Sequence, residues 1–86
     1  MATDYLPIHT TIKSLAREMK DLIDQYQKKS VSAGELTKWL NTWDQNCPNL
    51  IYKDETHATL TNTLREYLGK KRGFVVETIL IQKKEL

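Results

Sequence analysis

Lys70, Lys71 and Arg72 stand together between Gly69 and Gly73 in the stretch 68-LGKKRGF-74. Adjacent cations can neutralise phosphate oxygens, and a helix starting near Lys70 would point its free N–H groups at the same anion. Arg65, about one turn upstream, would extend that footprint. The plainer reading is a helix junction. Glu66 precedes Lys70 by four residues, the favourable spacing for a surface ion pair, and the stretch has neither a glycine-rich phosphate loop nor interleaved aromatics. Trp39 and Trp43 form the second conspicuous pair. Four residues apart, they share a helix face with Leu36 and Leu40, so they either fill a core or, with one ring at the rim, anchor a partner protein.

Other chemistries find weaker support. Asp44, Asn46 and Glu55 fall on positions one, three and twelve of a helix-loop-helix calcium loop, with Ile51 at its apolar eighth position. Pro48 takes the fifth position, where a side-chain oxygen is wanted, and Asn49 replaces the turn glycine, so no metal is expected. His9 and His57 have no metal-ligand spacing and read as surface or capping residues. Cys47 has no histidine near it in sequence to activate it as a nucleophile. Asp54 and Glu55 read as solvated loop charges rather than a catalytic pair. No cofactor is implied.

These residues must be positioned by helices. Ile12, Leu15, Ala16, Met19, Leu22, Ile23 and Tyr26 recur at steps of three and four, predicting a helix over 11–28 with Thr10 or Thr11 as N-cap. On its solvated face Arg17 precedes Asp21, and Lys20 precedes Asp24, by four residues. Ser32 and Glu35 have capping-box spacing, and Val31 and Leu36 staple spacing, predicting a second helix that stops at Asn46 before Pro48. Residues 47–56 are expected to form a loop whose patch Leu50-Ile51-Tyr52 lies over the core. Thr56 is expected to cap a third helix bearing Leu60, Leu64, Tyr67 and Leu68 and ending at Gly69. The tail 74–86 is rich in β-branched residues, but helix is favoured because no partner strand exists for it, with Lys83 and Lys84 suited to a helix C-terminus.

At 86 residues the chain is one small domain, with residues 1–10 as an N-terminal arm. The apolar fraction of 40% and charged fraction of 28% are those of a folded protein. The net charge of +2 divides evenly between the two halves, so there is no basic tail or acidic arm. One cysteine excludes an internal disulfide, MATDYLPIHTT has no signal-peptide pattern, and no apolar run approaches membrane-spanning length. The cytoplasm is the expected location and no membrane role follows.

The stretches 15-LAREMKDLIDQY-26, the "xSxxEL" opening of the second helix at 31-VSAGEL-36, and the "LGKKRxxVVxxIL" pattern over 68–80 together resemble a group of small uncharacterised proteins. That group is encoded by low-GC Gram-positive bacteria and by their phages and mobile elements. The resemblance spans roughly residues 12–81 and implies a cytoplasmic accessory protein, with no activity or catalytic residues to carry over. The combined expectation is an all-α, compact bundle of three to four short helices. Its core is Leu15, Met19, Leu22, Ile23, Leu36, Trp39, Leu40, Leu60, Leu64, Leu68, Val76 and Ile79. The expected function is non-enzymatic: binding and modulating another protein through Trp39 and Trp43. The alternative is a nucleic-acid-binding regulator using Arg65, Lys70, Lys71 and Arg72. A homodimer is a further option, since self-association can complete the core of so small a domain.

Overall fold

The computed structural model describes residues 5–83. Lys84 and the first four residues of the arm lie outside the described residues. The amphipathic stripe of the first segment forms α1, Ile12–Gln27, and buries Leu15, Ala16, Met19, Leu22 and Ile23. Thr11 is its N-cap, the side chain accepting from the Ser14 amide at 3.2 Å. In α2, Ala33–Asn46, Ser32 caps the first turn by accepting from the Glu35 amide. Val31 and Leu36, the expected staple, are both buried, and the helix ends at Asn46 as Pro48 dictates.

The segment expected as a loop contains a helical turn, α3, Pro48–Ile51. Proline suits a first helical position because its missing N–H would have had no intrahelical partner there. The turn drops Ile51 and Tyr52 into the core, as the apolar patch requires. Thr56 does not cap the next helix. Asp54 Oδ1 accepts from both the amide and the hydroxyl of Thr56, closing a local turn, and Lys53 N–H donates to the Thr59 carbonyl. An isolated antiparallel bridge joins Tyr52 to Leu60, and the helix waits for Thr61, whose hydroxyl accepts from the Leu64 amide. Leu60 is therefore buried from the connecting segment rather than from a helix face.

That helix, α4, runs Asn62–Val76 and is broken at Gly69, whose φ of 83° and ψ of 174° are reached by glycine alone. Gly69 interrupts the helix instead of ending it. The chain resumes helical geometry at residue 70 and passes into one π-helical turn, Glu77–Ile81. Residues 74–81 of the tail are thus helical despite their β-branched side chains, and Val76, Ile79 and Leu80 are buried. No strand occurs among the described residues. The all-α bundle closes around one core in which α1 and α4 share the most extensive packing.

All of the expected core residues are buried except Trp39, which is only partly so; Trp43 takes the fully buried place. The difference is one of register. Trp43 is fully enclosed in the core, while Trp39, one turn earlier, is partly exposed against Tyr5 of the arm.

Candidate interaction surface

The arm determines what the tryptophans can do. Tyr5 lies against both indoles, 5.4 Å from Trp39 in an edge-on arrangement and 5.9 Å from Trp43. Trp43 Nε1–H donates to the Leu6 carbonyl at 2.7 Å, so its one polar group is satisfied while the ring is buried. Asn46 Nδ2–H donates to the Pro7 carbonyl, and the Leu6 amide donates to Glu18 Oε1. The Tyr5 hydroxyl donates to Asp21 Oδ2, which also accepts from Gln25. Burial, reinforced by that carboxylate, raises the Tyr5 phenol above its ordinary pKa.

His9 is not a surface residue. It is buried at the root of the arm, each ring nitrogen 2.7 Å from an oxygen, Ser14 Oγ on one side and Glu18 Oε1 on the other, with Trp43 beside it. The tryptophan pair is consequently divided. Trp43 has no surface for a partner, and Trp39 keeps a partly exposed edge.

The cationic knot is divided as well. Arg72 turns away from Lys70 and Lys71 and grips Asp24 of α1, Nε on Oδ1 and Nη2 on Oδ2 at 3.0 Å each. This contact holds the Asp24 carboxyl below the usual range and the guanidinium above its own. Lys70 and Lys71 remain exposed. The break at Gly69 takes Glu66 and Lys70 out of helical register, and among the described residues they form no ion pair. Arg65 instead approaches Glu77, at 4.0 Å. The three cations of 70–72 therefore do not converge on one anion.

What α4 does present is an aromatic ring. Phe74 is 62% exposed, on the rim of a shallow groove of about 360 Å³ whose walls are Arg65, Glu66, Lys70 and Glu77. Gly69 and Gly73 line the same groove, and a Cβ added to either would meet no atom within 4 Å. The groove exists because the helix breaks where it does and because its floor lacks side chains. The pattern 69-GxxxGF-74, two glycines four apart ahead of a phenylalanine, is the signal in the sequence that points to it.

The remaining candidates stay apart. Cys47 is buried at the junction of α2 and α3. His57 stacks on Tyr52, ring centroids 4.1 Å apart. Asp44 and Asn46 belong to α2, and α3 occupies the stretch around which a calcium loop would wrap. Burial, with the neighbouring Asp44 carboxylate, raises the Tyr52 phenol. Among the described residues no three His, Cys, Asp or Glu side chains gather to hold an ion, and no helix is long and apolar enough to cross a membrane.

A family model described as "Conserved hypothetical protein" matches residues 7–81. The chain belongs to that family. The match takes in every helix and the groove around Phe74, together with His9 of the arm; Tyr5 and Leu6 fall outside it. No curated protein and no solved structure matches the chain.

Proposed function

We propose that this family member is a small non-enzymatic interaction protein that binds and modulates another protein. The observation that carries the reading is Phe74. In a chain short enough to need nearly all its large apolar side chains inside, this ring stands 62% exposed beside a glycine-floored groove. Aromatic side chains at the edge of such a depression, ringed by charges, are typical anchors of protein interfaces. The walls carry both signs, Arg65 and Lys70 against Glu66 and Glu77. They suit a partner segment that covers Phe74 with an apolar side chain and meets the rim with mixed charge.

Trp39, partly exposed under the arm, is a secondary contact in this reading. The setting is the cytoplasm of a low-GC Gram-positive bacterium, with the gene carried by a phage or mobile element; the stretches 15-LAREMKDLIDQY-26 and 68-LGKKRGF-74 support that placement by resemblance. The experiment is affinity capture from such a host, comparing the native chain with Phe74→Ser and with Trp39→Ala. Loss of the same protein in the first variant is the expected result.

A further inference from the structure

Arg17 and Lys20 each stand four residues before an aspartate, yet among the described residues neither forms an ion pair with it. Asp21 is taken by the Tyr5 hydroxyl and the Gln25 amide, and Asp24 gives both of its oxygens to Arg72. Among the described residues no carboxylate lies within ion-pair distance of Lys13, Arg17 or Lys20. These cations occupy successive turns on one stripe of α1, spanning about 10 Å at the helical rise. Lys28, at the end of the helix, continues the stripe beyond the neutralised Asp24.

The three cations border a recess of about 300 Å³, whose other lining residues are Ala16 and Tyr67 of α4. Tyr67 is 41% exposed there. Tertiary contacts thus engage Asp21 Oδ2 and both oxygens of Asp24, and an open aromatic ring stands beside cations that form no ion pair.

We propose that this recess binds a single-stranded nucleic acid, with Lys13, Arg17 and Lys20 on its phosphates and a base against Tyr67. A purely acidic chain such as polyglutamate would satisfy the charges but offer no flat face to the ring. A duplex would satisfy the charges while keeping its bases stacked on one another. An unpaired strand supplies phosphates spaced along the stripe and a free base face together. The site is separate from the Phe74 groove, with which it shares no lining residue.

The test is fluorescence anisotropy of a fluorescein-labelled oligothymidylate, titrated with the full chain over a series of salt concentrations. Binding is expected at low salt, weakening with a slope of log affinity against log salt near about −2, the value for three phosphates on a single strand. The variant Lys13→Gln/Arg17→Gln/Lys20→Gln, its fold verified by circular dichroism, should lose binding at least about ten-fold and flatten the slope. Tyr67→Ala should weaken binding by about ten-fold and leave the slope unchanged, and Tyr67→Phe should retain affinity. Lys70→Gln/Lys71→Gln should bind as the native chain does. The proposal is overturned by absence of binding at low salt, by undiminished binding in the triple variant, or by equal binding of a duplex or of polyglutamate.

Discussion

Arg72 and Asp24 are joined by a two-armed contact between residues 48 apart in sequence, Nε to Oδ1 and Nη2 to Oδ2, each at 3.0 Å. It fastens the resumed part of α4 to α1 immediately after the break at Gly69. The same contact removes Arg72 from the cationic knot and Asp24 from Lys20, so one ion pair shapes both charged surfaces.

Removing that pair should cost little. The two side chains remain 33% and 39% exposed, where solvent screens the attraction, so Arg72→Ala is expected to lower stability by about 1 kcal/mol even with good bidentate geometry. Because the Asp24 pKa is depressed in the folded state, its contribution is present above the unfolded value near about 4 and vanishes as pH falls through the folded one. Urea midpoints of native and Arg72→Ala chains should therefore differ at pH 7 and converge as the pH falls through the depressed value of Asp24. A gap that persists in acid would contradict the assignment.

Two glycines four residues apart should respond oppositely to alanine. At Gly69 there is room for a Cβ, but φ of 83° with ψ of 174° is closed to other residues, and Gly69→Ala should cost about 1–3 kcal/mol. Gly73 lies in regular helix with no atom in the way, so Gly73→Ala should stabilise by up to about 1 kcal/mol. Thermal melts of the two variants decide the matter, and equal shifts of the same sign would contradict it.

The tryptophans should separate on truncation. Trp43→Ala removes a fully buried indole and should cost about 3–5 kcal/mol, enough to leave a domain of this size largely unfolded. Trp39→Ala, at the edge, should cost about 1 kcal/mol. Tyr5→Ala should uncover both rings without unfolding the bundle, shifting tryptophan emission to the red and raising its quenching by acrylamide. An unchanged spectrum would mean that the arm does not shield them.

The helical architecture was largely legible because α1 and α2 carry strong periodicity and well-formed caps, and because a terminal strand would have had no neighbour. Side-chain spacing could not decide which competing oxygen captures a threonine: Thr56 lost its capping role to Asp54, and Thr61 took it. Nor could it foresee partners distant in sequence. Arg17–Asp21 and Lys20–Asp24 have the four-residue spacing of local ion pairs, yet Tyr5 and Arg72 claim the two aspartates through tertiary contact. His9 looked solvated for the same reason, since Ser14 and Glu18 enclose it only once the arm folds back. The candidate surface was half legible. The glycines around 70–72 were conspicuous, but their importance lies in the groove they leave beside Phe74 rather than in the cations between them.

The most direct test of the central claim is a nuclease-treated, high-salt affinity capture from a Gram-positive host lysate with native, Phe74→Ser and Arg72→Ala chains side by side. A stoichiometric protein partner retained by the native and Arg72→Ala chains, and lost with Phe74→Ser although that variant melts like the native chain, is the expected result. A partner held equally by all three chains, or none held by the native chain, would contradict a protein-binding surface centred on Phe74.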